Sequence, residues 1–259
     1  MNRKLCLNVF TGIPKEELYP YAKEAGFDGF FNPPEFADNL PELKKLHELA
    51  GKLGLYQEAV HSTITNPKSI WFEGPEGDQY LDVLLKNVDH CVGIGVPLLV
   101  VHPQSSRKRG ARIESGLPRM QKLVDYAREK GVRIAFENTD SEELLQAVME
   151  AFPDDHVGFC YDTCHACWLT PDARFLKQYG DRLFCTHFSD GSGQADDHWL
   201  PGDGIVNYDE VVEDLKACHY QGPLTLEVAY RGRYLEAYTP KTFVEKCFEI
   251  ASEMAEKLE

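Results

Sequence analysis

The chain has 259 residues, 43% of them hydrophobic and 27% charged, with a formal net charge of −15. This composition is ordinary for a soluble globular protein and excludes a disordered chain. The acidic balance argues against a nucleic-acid partner, because phosphate binding favours a basic surface. No apolar run approaches the ~18 residues of a membrane span. The N-terminal residues enter a strand-like segment without a signal-peptide core, so the sequence predicts a cytoplasmic protein without a membrane partner.

Eight cysteines are dispersed along the chain, most of them inside predicted strands and helices. This distribution indicates buried, reduced thiols rather than the disulfide scaffold of a short secreted protein. Cys164 and Cys167 form one C-x-x-C pair, a motif that in other proteins is redox-active or binds zinc. Because the sequence has no second C-x-x-C, two structural thiols are the favoured interpretation.

In chain order, short apolar segments alternate with amphipathic segments from end to end, which predicts a parallel sheet of βαβ units. Eight strands, the number that closes a barrel, are predicted over residues 5–9, 29–31, 55–60, 98–101, 132–136, 157–161, 183–186 and 224–228. Helices are predicted over residues 40–53, 79–92, 116–130, 209–218 and 240–258. No linker, low-complexity segment or strong repeat interrupts the pattern. We therefore expect an α/β fold, one (β/α)8 TIM-barrel domain over residues 1–259.

Glycines mark the predicted helix ends that precede four of the strands. Each is expected to take the left-handed conformation that closes a helix; they are Gly26, Gly54, Gly131 and Gly222. The densest basic run, Arg107-Lys108-Arg109 with Arg112 beyond it, is predicted to be the solvated start of a helix.

Acidic and imidazole side chains follow the predicted strands at the point where barrels carry their reactive groups. The C-terminal ends of barrel strands converge on one rim, and here they carry His61, His102, Glu137, Asp162, His187 and Glu227. An unpaired buried carboxylate costs several kcal/mol, which is comparable to the net stability of a domain. A bound cation removes that cost. The predicted ligands of one shared metal ion are Glu137, Asp162, His187 and Glu227.

Three carboxylates and one imidazole suit Mn²⁺, Mg²⁺, Co²⁺ or Zn²⁺ rather than soft metals. Five further residues on the rim or its loops are candidates for additional metal ions or for contacts with substrate hydroxyls: His61, His102, His165, Asp196 and His198. Nine ligands exceed the needs of one ion, and the sequence leaves both roles open. For any single histidine, a hydrogen-bonded packing role is the alternative interpretation.

Five segments that span most of the C-terminal half resemble the xylose isomerase-like TIM barrel superfamily. They are Phe136-Glu137-Asn138, Tyr161-Asp162-Thr163-Cys164-His165, Thr186-His187-Phe188-Ser189-Asp190, Asp196-Asp197-His198-Trp199-Leu200-Pro201-Gly202-Asp203-Gly204 and Gly222-Pro223-Leu224-Thr225-Leu226-Glu227-Val228. This superfamily contains sugar and sugar-phosphate isomerases and epimerases, inosose-type dehydratases and apurinic endonucleases of the endonuclease IV type. The segment from Asp196 to Gly204 is similar to the isomerase and epimerase branch.

The resemblance implies a divalent-metal-dependent isomerase or epimerase of a sugar or sugar phosphate. In that chemistry a proton leaves the carbon next to a carbonyl and an enediolate forms, so two carboxylates must face opposite sides of the carbon. Glu137 and Glu227 are the predicted catalytic pair. The implied partner is a small carbohydrate, and a homo-oligomer is compatible with the resemblance.

The alternative is a zinc-dependent apurinic/apyrimidinic phosphodiesterase like endonuclease IV, in which all nine rim residues would ligate three metals. Two departures weigh against it: the segment from His187 to Asp196 is short, and residues 32–36 lack the basic residue of that family's DNA-gripping loop. A related dehydratase, or a metal site without catalysis, are further alternatives.

Several loop residues are candidates for substrate contacts. Arg231 and Arg233 follow the last predicted strand, where barrels often bind phosphate, so they are predicted to recognise a phosphorylated sugar. Trp71, beside Phe72, is predicted to contact a sugar face, and Trp168 and Trp199 are further candidates for the pocket wall. The alternatives are exposed arginines and tryptophans packed against neighbouring loops.

Overall fold

The computed structural model describes residues 3–104 and 111–259, and the predicted Arg107-Lys108-Arg109 helix start lies outside them. The described residues form the predicted (β/α)8 TIM barrel. Its strands are β1 (Leu5–Thr11), β2 (Gly29–Asn32), β3 (Tyr56–His61), β4 (Leu98–Val101), β5 (Arg133–Glu137), β6 (Val157–Asp162), β7 (Leu183–His187) and β8 (Leu224–Ala229). Its α-helices are α1 (Lys15–Ala25), α2 (Leu40–Leu53), α3 (Pro75–Ile94), α4 (Ile113–Lys130), α5 (Glu142–Ala151), α6 (Thr163–Leu169), α7 (Phe175–Tyr179), α8 (Tyr208–Ala217), α9 (Tyr234–Ala237) and α10 (Pro240–Leu258).

The strands lie in the order β7-β6-β5-β4-β3-β2-β1-β8, and each neighbouring pair in this order is parallel. The barrel closes just beyond β7, through a bridge between Phe188 and Leu226. There the Phe188 N–H donates to the Thr225 carbonyl at 2.9 Å, and the Glu227 N–H donates to the Phe188 carbonyl at 3.0 Å. This closure places the residues that follow β7 directly beside Glu227.

Glycine ends α1, α2 and α4 as predicted, with φ of 115° at Gly26, 70° at Gly54 and 72° at Gly131. The prediction for Gly222 is wrong. The helix before it ends at Ala217, and the left-handed residue is His219, with φ of 55°. Gly222 is instead required by close packing, because a Cβ there would lie 2.3 Å from the Tyr220 hydroxyl.

A β-bulge in β3 turns Glu58 toward β8. The register between β2 and β3 shifts after Phe30, and such a bulge re-aims the neighbouring side chains. Glu58 Oε2 accepts a hydrogen bond of 2.5 Å from Thr225 Oγ1, while Oε1 has no partner among the described residues. Burial raises the pKa of Glu58 to about 7.

The described helices include none that is both long enough and apolar enough to cross a membrane. Most apolar side chains of α1 to α5 and α10 pack instead against the outer face of the barrel, where they join strand residues such as Val9, Val101 and Phe136 in the main core. That packing leaves the C-terminal strand ends free to carry polar residues.

Candidate metal centre

The predicted rim residues converge at one end of the barrel. A cavity of about 450 Å³ opens there, within the usual size range of small-molecule sites, about 300–1,000 Å³. Seven of the nine predicted ligands line it: His61, His102, Glu137, His165, Asp196, His198 and Glu227. The other wall residues are Phe10, Pro34, Glu35, Asp38, Thr63, Ile64 and Thr65. Asp162 and His187 lie beneath them, fully buried.

The predicted four-residue group is assembled. Glu137, Asp162, His187 and Glu227 each offer one ligand atom, and these atoms all lie within 4.8 Å of one another. His187 Nδ1 lies 3.1 Å from Glu137 Oε1 and 3.2 Å from Glu227 Oε2. Stacking on the Phe31 ring, with centroids 4.3 Å apart, sets the plane of the His187 imidazole. The group is therefore compact and held from several strands.

A second group shares Glu137. Its other oxygen, Oε2, lies 3.1 Å from Nε2 of His61 and 3.1 Å from Nε2 of His102. The two Nε2 atoms are themselves 3.1 Å apart. Glu137 thus presents one carboxylate oxygen to each of two ligand groups, which is the arrangement of a bridging carboxylate.

A third group adjoins the other two. His198 Nε2 lies 2.9 Å from Asp196 Oδ1, and His165 Nε2 lies 3.7 Å from the same oxygen. His165 Nδ1 also lies 3.5 Å from Glu137 Oε1. His198 holds φ of 49°, a conformation that is uncommon outside glycine. The backbone of His198 is therefore strained, and in this conformation its imidazole points toward Asp196.

Main-chain carbonyls determine the tautomers of three of these histidines. Nδ1 lies 2.9 Å from the Ser62 carbonyl in His61, 3.0 Å from the Asn138 carbonyl in His165 and 3.0 Å from the Glu227 carbonyl in His198. Because a carbonyl only accepts, Nδ1 carries the proton in each neutral ring. Nε2 then presents a lone pair to the neighbouring carboxylate, which is how metal-binding histidines are usually oriented.

The site is strongly perturbed electrostatically. Burial raises the pKa of Asp162 to about 7, with Glu137 and Glu227 adding to the effect and His165 and His198 opposing it. Burial also acts on Glu227, but His187 outweighs it and lowers the pKa of that carboxyl to about 2. Despite burial, His187 and His102 hold the pKa of Glu137 well below its usual range. Without a cation, the carboxylates of this four-residue group are thus stabilised by protons shared with the histidines.

The donor set fits a divalent cation. Asp162 Oδ1 accepts a hydrogen bond of 2.7 Å from the His165 N–H, but Oδ2 is buried and has no hydrogen-bond donor among the described residues. Oε2 of Glu137, Nε2 of His61 and Nε2 of His102 face one another. One proton can bridge only two of these three atoms. A cation at each point would accept these lone pairs, so oxygen and imidazole ligands suit Mn²⁺, Co²⁺ or Zn²⁺.

The fold and this rim agree with a comparison of the sequence with known families. A model described as the xylose isomerase-like TIM barrel matches residues 20–247, which include seven of the eight strands and all nine rim residues. The chain belongs to the xylose isomerase-like TIM barrel family. The family resemblance expected from the five sequence segments is therefore confirmed.

Within this family, three curated relatives are informative. Uncharacterized protein y4fM of Sinorhizobium fredii is 31% identical over 159 residues, 56% of this chain and 51% of that protein. Inosose isomerase of Halalkalibacterium halodurans is 22% identical over 256 residues, 90% of each chain. Probable endonuclease 4 of Thermosipho africanus is 29% identical over 182 residues, 61% of this chain and 60% of that protein. The chain thus spans about half the length of y4fM.

Two solved structures show the same fold. The IOLI protein with a binding zinc atom superposes with a TM-score of 0.76 at 19% identity, covering 98% of both chains. D-Psicose 3-epimerase with D-tagatose, from Clostridium cellulolyticum H10, superposes with a TM-score of 0.74 at 13% identity, covering 98% of this chain and 99% of that one. At such identities the likeness establishes the architecture of this xylose isomerase-like barrel.

Three predicted substrate-contacting residues lie away from the cavity wall. Trp71 is fully buried beneath Gly116 and its Nε1–H donates to the Pro103 carbonyl, so it packs the loop and has no surface for a sugar. The Arg231 guanidinium donates to the carbonyls of Asp196 and Asp197. Arg231 thereby supports the loop of the third ligand group, and the structure gives it no place in the wall.

Arg233 forms an ion pair of 3.2 Å with Asp203 and stacks over the Trp199 ring, 4.5 Å from its centroid. Both Arg233 and Trp199 therefore brace the loop after β7, and phosphate recognition by either arginine stays a prediction. Trp168, half-buried on α6, is likewise absent from the wall.

Some wall residues escaped the sequence analysis. Phe10, Glu35, Asp38 and Ile64 lie on β1 or in the loops after β2 and β3, and the strand-end rule that found the histidines would have found them too. Lys15 is another. Its ammonium is buried and donates to Asn8 Oδ1 at 3.0 Å and to the Val9 carbonyl at 2.6 Å, and burial lowers its pKa to about 8.

Proposed function

We propose that the chain is a divalent-metal-dependent isomerase or epimerase that acts on a small sugar or sugar phosphate by proton transfer through an enediolate intermediate. The observation that carries this proposal is the pair of carboxylates, Glu137 and Glu227. Oxygens of both lie close to His187 Nδ1, at 3.1 and 3.2 Å, and both residues border the cavity. A substrate carbon held in the cavity beside His187 would thus lie within reach of both carboxylates.

The lowered pKa values of both carboxyls leave them ionised at neutral pH. In the proposed reaction one carboxylate accepts the proton from the carbon next to the carbonyl, and the other side of the site returns a proton. Return to the same carbon from the opposite face gives epimerisation, and return to the neighbouring carbon gives isomerisation. Glu137 and Glu227 are the proposed catalytic residues.

The cation would be held by Glu137, Asp162, His187 and Glu227. When bound, it acts as a Lewis acid that stabilises the negative charge developing on the substrate oxygens. His165, Asp196 and His198 line the cavity beside this group, where the Nε2 atoms of the two imidazoles and the Asp196 carboxylate are proposed to contact sugar hydroxyls. The ligand types leave Mn²⁺, Zn²⁺, Co²⁺ and Mg²⁺ as candidates.

A small carbohydrate suits this cavity better than a nucleic acid does. Glu35 and Asp38 add two carboxylates to the cavity wall, and these would repel a polyanion. The inosose isomerase relative, which aligns over 90% of this chain, supports the same class of substrate. All eight cysteines are unpaired, which supports a reducing compartment such as the cytoplasm.

Phosphodiester hydrolysis of the endonuclease IV type is the second candidate. One observation favours it: all nine rim residues fall into three adjoining ligand groups, two of which share Glu137. Such a cluster could hold three zinc ions, which a proton-transfer reaction does not need. The relative named probable endonuclease 4 aligns over 61% of this chain, so this reading also has support from the comparisons.

One experiment separates the two candidates. The protein, loaded with Mn²⁺, Co²⁺ or Zn²⁺, is incubated in deuterated water with D-tagatose, D-psicose and an inosose, and in parallel with duplex DNA that contains an abasic site. We expect a carbon-bound hydrogen of at least one sugar to exchange with deuterium and the DNA to stay intact. Cleavage of the abasic strand by a three-zinc protein, without sugar exchange, would replace the isomerase with the hydrolase.

A further inference from the structure

Cys164 and Cys167 lie on α6, the helix that begins after Asp162 and carries His165, and the proposed reaction uses neither thiol. Residues three apart on a helix share a face, and their Cα atoms, about 5 Å apart by helix geometry, fall within the usual disulfide range of about 4.4–6.8 Å. The Cys167 thiol donates to the Cys164 carbonyl at 3.3 Å, and the two thiols also interact directly. The pair is thus close enough to be joined without unfolding the helix.

The two thiols differ in access. Cys164 is fully buried, whereas Cys167 is only partly buried and lines a second cavity of about 280 Å³ between α6 and α8, together with Ala166, Thr170 and Ile205. This cavity is separate from the one over the metal centre and shares no wall residue with it. A small oxidant can therefore react with Cys167 first. Cys164 is inaccessible to it and can react only with the modified Cys167.

We propose that Cys164 and Cys167 form a redox-active dithiol, which low-molecular-weight disulfides oxidise to a Cys164–Cys167 disulfide. The Cys167 thiolate attacks one sulfur of the small disulfide, which forms a mixed disulfide on Cys167 and releases one small thiolate. Cys164 then loses its proton, and its sulfur attacks the Cys167 sulfur. The second small thiol leaves. The chain loses two electrons and two protons, which are carried away by the two small thiols.

The dithiol is also coupled to the third ligand group. Cys164 Sγ packs against the loop that carries Asp196 and His198: it lies 3.9 Å from the Ala195 carbonyl, and a Cβ added to Gly191 would be 3.1 Å from it. A bond to Cys167 moves this sulfur and so disturbs its contact with the loop. If the third group binds an ion, as in the second candidate function, oxidation should weaken its retention of that ion.

The test treats folded, zinc-loaded protein with oxidised glutathione and maps the products by peptide mass spectrometry. We expect the peptide holding both cysteines to lose two hydrogen masses, and dithiothreitol to restore them. Cys164→Ser should trap a glutathione adduct on Cys167, whereas Cys167→Ser should leave Cys164 unmodified. Cys218→Ser is the matched control, because Cys218 is also partly buried and donates to a carbonyl three residues earlier, but lacks a neighbouring thiol.

Modification of Cys218 in preference to Cys167, or an unchanged Cys164–Cys167 peptide while circular dichroism shows a folded chain, would overturn the dithiol. This readout does not depend on metal or activity, so it stands or falls separately from the proposed function. Zinc analysis of the oxidised protein tests the coupling. A disulfide that forms without any loss of zinc would overturn the coupling to the ligand group.

Discussion

The Nε2 atoms of His61 and His102 lie 3.1 Å apart, and Oε2 of Glu137 lies 3.1 Å from each. His61 Nδ1 is committed to the Ser62 carbonyl, so in its neutral form its Nε2 has only a lone pair to offer. Burial lowers the pKa of His102, which disfavours a charged ring that could donate to both neighbours. The three atoms therefore form a triangle of lone-pair donors, and a cation bound between them would interact favourably with all three.

This triangle predicts that metal stabilises the fold. A ligand that binds only the native state stabilises it by about 2.7 kcal/mol at a concentration one hundred times its Kd. We expect Co²⁺ or Zn²⁺ to raise the melting temperature of protein stripped with a chelator, by several degrees. Differential scanning calorimetry checks this, and the His61→Ala variant should show a smaller rise. Equal melting curves with and without metal would contradict the prediction.

The titration of the rim predicts a pH dependence for the metal-free protein. The pKa of Asp162 is raised to about 7 and that of His198 to about 9, burial being outweighed in His198 by Asp196. A group with a raised pKa stabilises the fold below its unfolded pKa and loses that contribution as the pH rises through its folded pKa. Metal-free protein should therefore lose stability from about pH 4, where Asp162 ionises in the unfolded chain, to about pH 9.

Bound metal should remove this dependence, because the cation replaces the protons. Urea unfolding at about pH 6 and about pH 8, with chelator or with Zn²⁺, gives the comparison. The expected result is a fall in the free energy of unfolding toward pH 8 only in the chelator samples. The same slope in both sets would show that protons at Asp162 and His198 do not compete with metal.

Two helical glycines predict opposite effects of alanine. A Cβ at Gly116 would lie 2.1 Å from the Trp71 ring, whereas a Cβ at Gly51 would meet nothing within 4 Å. We expect Gly116→Ala to destabilise the fold by about 1–3 kcal/mol through overpacking, and Gly51→Ala to stabilise it by about 0.5–1 kcal/mol through helix propensity. Urea unfolding of both variants measures these effects. A neutral Gly116→Ala would mean that Trp71 is not buried as described.

The contrast between Trp71 and the rim residues shows how far the sequence alone could go. The strand-end positions of Glu137, Asp162 and His187 follow from strand periodicity and from barrel geometry, so their convergence was predictable. Trp71 lies in a loop, and its burial under Gly116 depends on how two distant segments pack, which no local pattern encodes. The family resemblance added an expected chemistry and the three-metal alternative but carried no information on that packing.

Backbone irregularities escaped the sequence for the same reason. Glu58 faces β8 only because of a bulge between β2 and β3, and a period-two strand pattern cannot reveal one. The left-handed residue before β8 is His219 rather than Gly222, because the chain turns directly after the helix ends at Ala217. The contact of Glu58 with Thr225 is a tertiary one, which the local sequence pattern does not encode.

His165→Asn distinguishes a mononuclear from a multinuclear site. His165 lies 3.7 Å from Asp196 and 3.5 Å from Glu137, outside the four-residue group. If the protein is an isomerase, the variant keeps the ion bound by that group and converts its substrate more slowly. Metal analysis by mass spectrometry decides between the readings: loss of a second or third ion relative to the parent would show that His165 is a ligand and would favour the phosphodiesterase.

The most direct test of the account is the metal content of the parent protein and of Glu227→Gln, purified in parallel without added metal and then dialysed against Mn²⁺, Co²⁺ or Zn²⁺. Glu129→Gln, at an exposed position on α4, is the matched control. We expect at least one tightly held divalent ion in the parent and the control. We expect Glu227→Gln to bind the ion at least about tenfold more weakly, because loss of a residue that only supports a ligand already has an effect of that size. Its circular dichroism spectrum should be unchanged. A parent chain that retains no divalent ion, or a Glu227→Gln variant that binds it equally tightly, would contradict the metal centre on which the proposed function depends.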